Sequence, residues 1–275
     1  MQLIDFDSIF ATYLNGWYKR RKASGADYAA LEEEAGGVYA EWADVPLKET
    51  GGLSARRYFE QMTDPKELVA LLIRYTAADL SPPDLLAERI AALPACGRYL
   101  FEIARMGESA ELALFAVNLL SESGYAGLTE LLIDWLTGDR GEEYAEIAVE
   151  KLIADAGQAA PLLLARLDAG NLSETMEKNI ADILVYADKD ERIFKLLMRL
   201  FQADSDDTAL YASYLGKYGD ERALPALAAY GKRADINYMQ FVETRNAVEG
   251  LGGSLDNPKN FEHDPYYRAM KEMDE

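Results

Sequence analysis

The chain has one cysteine, Cys96, and one histidine, His263, among its 275 residues. A single cysteine excludes an internal disulfide and points to a reducing, cytoplasmic setting. With one residue of each kind no zinc site of the usual His/Cys type can be assembled, and no cofactor motif is present. A Ser-His or Cys-His nucleophile pair is equally disfavoured. His263 stands in a polar tail, and Cys96, just before Gly97, reads as a small packed residue. Positive charge is scarce as well, with 28 Lys and Arg against 48 Asp and Glu, a net charge of −20. A groove that tracks phosphates needs clustered cations, so nucleic acid is not an expected partner. No apolar run reaches the length of a membrane span, and the opening MQLIDFDSIF has neither the basic start nor the cleavage site of a signal peptide. Pro/Gly/Ser-rich linkers are missing, so one continuous unit is the default.

What fills the chain instead is helical periodicity. In the stretch SYLGKYGDERALPALAAYGK (213–232), Leu210, Tyr214 and Tyr218 fall at steps of four, and Tyr211 with Leu215 forms a second apolar row. Gly219 stops that helix, Asp220 caps the next, and Pro225 is tolerable if the second helix starts late. The same punctuation recurs at Gly124, Gly157, Asp188, Gly219 and Gly252, at intervals of 33, 31, 31 and 33 residues. Such a period, with two helices per unit, predicts an all-α repeat array, an α-α superhelix, over 81–253. The expected pairs are 82–93 with 95–106, 109–122 with 126–136, 142–156 with 159–167, 174–187 with 191–202, and 208–218 with 221–232, followed by a single helix over 236–251.

Residues 1–80 read differently, as an N-terminal helical cap covering the first face of the array. Asp7 is placed to cap a helix over 8–22 that ends in Lys19-Arg20-Arg21-Lys22, cations suited to a helix C-terminus. A second helix runs from Asp27 to Trp42, weakened at Gly36-Gly37. Ser54 and Asp64-Pro65 open two more, and Ser81-Pro82-Pro83-Asp84 opens the array in the same way. Trp17 and Trp42 suit core anchors; the run 42–59 is alternatively a recognition loop. In the tail, 254–275, Asp264-Pro265 can start a short capping helix.

The run Leu215-Gly216-Lys217-Tyr218-Gly219-Asp220-Glu221-Arg222-Ala223-Leu224-Pro225-Ala226-Leu227 resembles the HEAT-like repeats of bacterial proteins, with their leucine-glycine ending, Gly-Asp turn and Arg-Ala-x-Pro-x-Leu helix start. Gly138-Asp139 keeps only the turn, and Gly157-Gln158 with Pro161 only part of it. The resemblance implies a structural scaffold of the kind that mostly binds proteins, while a few members act as chromophore lyases or DNA glycosylases. No catalytic or ligand position carries over.

The Asp204-Ser205-Asp206-Asp207 run lacks the glycine and closing glutamate of a calcium loop and reads as an inter-repeat turn capped by Asp206 or Asp207. Glu142, Glu146 and Glu150, opposite Tyr144, Ala148 and Leu152, read as a solvated helix face. The candidate partner-binding surface is the row of second helices, which line the concave side of such arrays. It carries Trp135, Arg166, Lys195, Arg199 and Tyr230, with Arg233 just beyond, residue types that dominate binding hot spots. The competing reading makes Trp135 and Tyr230 core and pairs the cations with neighbouring carboxylates. The expectation is therefore a non-catalytic scaffold for a protein or peptide, a basic one fitting the charge. The alternatives are an enzyme on the same scaffold, glycosylase- or lyase-like, and an acidic decoy imitating DNA.

Overall fold

The computed structural model describes residues 3–107, 109–138, 140–203, 205–256 and 260–273. Asp139 of the expected Gly138-Asp139 turn and Asp204 of the acidic run lie outside the described residues. Among those described, the chain is all-helical, with no strand beyond an isolated antiparallel bridge between Pro46 and Ser54. Among the described residues no helix is long and apolar enough to cross a membrane. The chain divides into two compact units, 1–128 and 129–275. That division does not fall at residue 80, because the helices on either side of it pack against one another.

The first unit holds α1 (Phe6–Ala23), α2 (Tyr28–Ala43), α3 (Ala55–Glu60), α4 (Pro65–Ala77), α5 (Asp84–Ala91), a 3-10 turn (Pro94–Cys96), α6 (Gly97–Met106) and α7 (Ala110–Glu122). The cap of α1 is Asp5, not Asp7: its carboxylate accepts from the Ser8 N–H at 2.9 Å, and the helix starts two residues earlier than expected. Ser54 and Asp64 cap α3 and α4 as the sequence predicts, and Asp27, the expected first residue of the second helix, is the cap of α2. Gly36-Gly37 does not interrupt α2, since leucine, valine and tryptophan on its buried face hold it. Ser81 does not cap α5. Pro83 occupies the cap position and makes no side-chain bond. Trp17 and Trp42 are both core: Trp17 packs with Leu31 and Val38, and Phe10 lies 5.1 Å from Trp42. The run 42–59 is tied inward. Leu47 and Thr50 are buried, and the Leu47 N–H donates to the Leu53 carbonyl.

The second unit follows with α8 (Leu128–Thr137), α9 (Glu142–Ile153), α10 (Ala156–Ala169), α11 (Glu174–Leu184), α12 (Glu191–Gln202), α13 (Thr208–Tyr218), a 3-10 turn (Glu221–Ala223), α14 (Leu224–Gly231), α15 (Tyr238–Gly250) and α16 (Pro265–Met273). The late start of α14 puts Pro225 in its first turn, where its missing N–H costs least. Of the five expected stops, Gly124, Gly219 and Gly252 adopt positive φ; Gly157 lies inside α10, and Asp188 is not left-handed. The α13 stripe is centred on Tyr211, Leu215 and Tyr218, which leaves Leu210 exposed. Gly216 on the same helix sits where α15 comes closest: a Cβ there would lie 2.7 Å from the Ala247 Cα. Asp207 stands at the cap position of α13 but gives its carboxylate to Lys178 at 2.9 Å. The tail folds back: Asp264 accepts from the Tyr238, Tyr266 and Tyr267 N–H groups, and the Tyr238 and Tyr267 rings meet at 4.9 Å.

Side-chain bonds join helices of the second unit that lie about thirty residues apart in sequence. The Arg166 guanidinium meets Asp134, 32 residues earlier. Lys189 donates to the Gly219 carbonyl, 30 residues on. Tyr218 Oη accepts from the Asp190 N–H, 28 residues earlier, at 2.6 Å. Arg222 reaches back 31 residues to Glu191 at 2.9 Å and covers the Phe194 ring. Tyr214 Oη donates to Asp182, 32 residues earlier, at 3.0 Å.

Candidate binding cleft

The six residues expected on the second helices are spread along the unit rather than gathered at one place. Trp135 on α8 is 1% exposed and packs edge-on against Tyr144 at 5.0 Å. Tyr230 on α14 is buried against Phe201, their rings 5.2 Å apart. Each cation faces a carboxylate: Arg166 meets Asp134, Lys195 lies 3.8 Å from Glu191, Arg199 is 2.8 Å from Glu177, and Arg233 is 2.7 Å from Asp235 while covering the Tyr230 ring. Arg199, Lys195 and Arg166 are all substantially exposed, so these pairs contribute little to stability.

A cleft of about 680 Å³, open to solvent, lies instead between α9 and α11, the first helices of two consecutive expected pairs. Its α9 wall is the stripe Glu142, Ala145, Glu146, Val149 and Glu150, at helical spacing along one face. Met176, Asn179 and Asp182 of α11 face it, and Trp135 with Leu136 closes the end. The stripe exists because Tyr144, Ala148 and Leu152 turn inward, which leaves the intervening positions to face the neighbouring helix. Glu142, Glu146 and Glu150 are exposed, as their pattern predicts, yet they line a shaped surface that a single helix cannot reveal.

Among the described residues, no lysine or arginine lines this cleft, and Glu142, Glu146 and Asp182 make no ion pair. Glu150 pairs with Lys151 at 3.1 Å. Asp182 is half-buried; burial raises its carboxyl above the ordinary aspartate value, the Tyr214 hydrogen bond opposes that shift, and the Asp207 charge adds to it. The Tyr214 phenol is pushed up in turn, first by burial and then by the charge it touches. The indole N–H of Trp135 is buried and meets no acceptor among the described residues. Comparison with known protein families, with curated proteins and with solved structures finds no match to this chain.

The lining offers recognition by charge and apolar contact. Four carboxylates around an apolar floor of Ala145, Val149 and Met176 suit a cationic group carried on an apolar stem. Among the described residues no group of three or more His, Cys, Asp or Glu is arranged to hold a metal ion. Cys96 is buried, and that burial raises its thiol above the ordinary value against the opposing Arg89 charge, a setting for packing rather than attack.

Proposed function

We propose that the chain is a non-catalytic binding scaffold, a HEAT-like superhelical array of helix pairs behind an N-terminal helical cap, working in the cytoplasm. It holds a basic protein or peptide segment in the α9–α11 cleft. The observation that carries this reading is the set of carboxylates, Glu142, Glu146 and Asp182, that stand without a cation on an apolar floor. Elsewhere in the unit, arginines pair closely with acids. In this reading Trp135 contributes a wall, while Arg166, Lys195, Arg199, Tyr230 and Arg233 hold the framework that shapes it. The scarcity of clustered cations keeps nucleic acid off the list of partners.

The test is fluorescence anisotropy with a short labelled peptide of lysine and leucine against the full chain. Binding is expected to weaken with salt and to drop about fivefold in Glu142→Gln/Glu146→Gln, two exposed charge pairs at well under 1 kcal/mol each. Glu32→Gln/Glu33→Gln removes the same charge from α2 and should leave affinity unchanged. Equal losses from the two double variants would reduce the effect to net charge and sink the cleft.

A further inference from the structure

The first unit contains a cleft built to the same plan. It occupies about 290 Å³ between α5 and α7, again two consecutive first helices. Asp84, Ala87 and Glu88 form its α5 wall, and Phe115, Asn118 and Glu122 face them from α7. The α5 wall is the segment Asp84-Leu85-Leu86-Ala87-Glu88, and the α9 wall opens with Glu142-Glu143-Tyr144-Ala145-Glu146. Both place a carboxylate, then alanine three residues on and glutamate four residues on; between them Leu85 and Leu86 turn inward on α5, and Tyr144 alone does so on α9, where Glu143 is exposed. The facing helices agree as well. Each brings an asparagine, Asn118 or Asn179, and then a carboxylate within the next turn, Glu122 or Asp182.

The charge balance repeats too. Among the described residues no lysine or arginine lines the α5–α7 cleft, and Asp84, Glu88 and Glu122 make no ion pair. Glu88 also borders a neighbouring pocket lined by Arg56 and Arg89, and groups on the other side register the acidic field. Burial and then the charges of Asp5 and Asp84 hold the Asp7 carboxyl above its ordinary value. The Tyr39 phenol is pushed up to about 12 by burial and then by Asp84, Glu88 and Asp7. An apolar floor, an amide and three unpaired carboxylates are complementary to a lysine or arginine with an apolar neighbour. The smaller volume admits a shorter stretch than the α9–α11 cleft.

We infer that each unit carries one acidic cleft between its first helices, and that the chain binds two basic peptide segments at once. This rests on the proposed reading of the α9–α11 cleft and extends it to a second, independent site. The alternation carboxylate-x-x-Ala-Glu marks the wall of each site in the sequence.

Isothermal titration calorimetry of the full chain with the unlabelled lysine-leucine peptide tests it. Two peptides per chain are expected. Glu88→Lys/Glu122→Lys, both exposed positions, should reduce the count to one and leave the affinity of the remaining site unchanged. Glu142→Lys/Glu146→Lys should remove the other. The milder pair Glu88→Gln/Glu122→Gln should weaken one of the two sites about fivefold and so guards against misfolding by charge reversal. A wild-type count of one, lost on changing Glu142 and Glu146 alone, would overturn the second site and leave the first standing. Binding indifferent to all four glutamates would overturn both.

Discussion

Gly216→Ala should destabilise this protein, although the same change in most helices stabilises. Alanine is favoured over glycine in a helix interior by about 1 kcal/mol. At Gly216 the added Cβ would lie 2.7 Å from the Ala247 Cα and 2.8 Å from its Cβ. Carbon atoms rest at about 3.5–4.0 Å, so α13 and α15 must part by about 1 Å. A gap of that size forfeits about a quarter to a half of the dispersion energy across the opened contacts. Tyr211 and Leu215 of α13 and Phe241 of α15 are fully buried. Overpacking of this kind costs about 1–3 kcal/mol, which exceeds the helical gain and leaves a net loss of about 1 kcal/mol. Gly37→Ala is the control: it lies inside α2, nothing stands within 4 Å of its Cβ position, and it should gain up to about 1 kcal/mol. Urea unfolding followed by helical circular dichroism reads both. Ala247→Gly should fail to rescue Gly216→Ala, because the Cα itself is the obstacle. If Gly216→Ala raised the midpoint as Gly37→Ala does, the close approach of α13 and α15 would be refuted.

Two further predictions turn on titrating groups. Asp182 has a raised pKa in the folded chain, so its burial subtracts stability as pH climbs from the ordinary aspartate value of 3.8 through the raised one. Asp182→Asn, which keeps an acceptor for Tyr214, should therefore raise the urea midpoint at neutral pH and not at about pH 4; Tyr214→Phe should cost about 1 kcal/mol at neutral pH and less in acid. A difference from wild type that does not vary with pH would contradict the burial of a charged Asp182 in the first variant and its hydrogen bond to Tyr214 in the second. Asp5, whose carboxyl is held low first by the Ser8 hydroxyl and then by the Ser8 N–H, stabilises above its ordinary value of 3.8 and loses that contribution as pH falls. Asp5→Ala should cost about 1 kcal/mol at neutral pH and Asp7→Asn very little; the reverse order would return the cap to Asp7.

The helices were legible because their ends are written in local chemistry. Asp64-Pro65, Ser54 and Asp27 start helices where any such signal would, and the leucine-glycine pair at 215–216 has a packing cause that the α13–α15 contact makes plain. Misplacements occurred where two local solutions compete. Asp5 and Asp7 both stand at the start of α1, one just before it and one in its first turn, and the Ser8 N–H goes to Asp5. Gly157 follows an apolar run as a stop would, yet α10 begins at Ala156 and carries it inside. The clefts were not legible from a single helix, because Glu142, Glu146 and Glu150 show the pattern of any solvated face. Recurrence of carboxylate-x-x-Ala-Glu at 84–88 and 142–146 was the available signal, and its meaning depends on which helix stands opposite.

The bonds from Arg166, Tyr214, Tyr218 and Arg222 each close a loop of 28 to 32 residues. Loops of that length form early and close cheaply. On the ribosome, each of these bonds needs only the next thirty or so residues to emerge before both partners are present. None of them waits for the distant end of the chain, and translation can set the order in which they form.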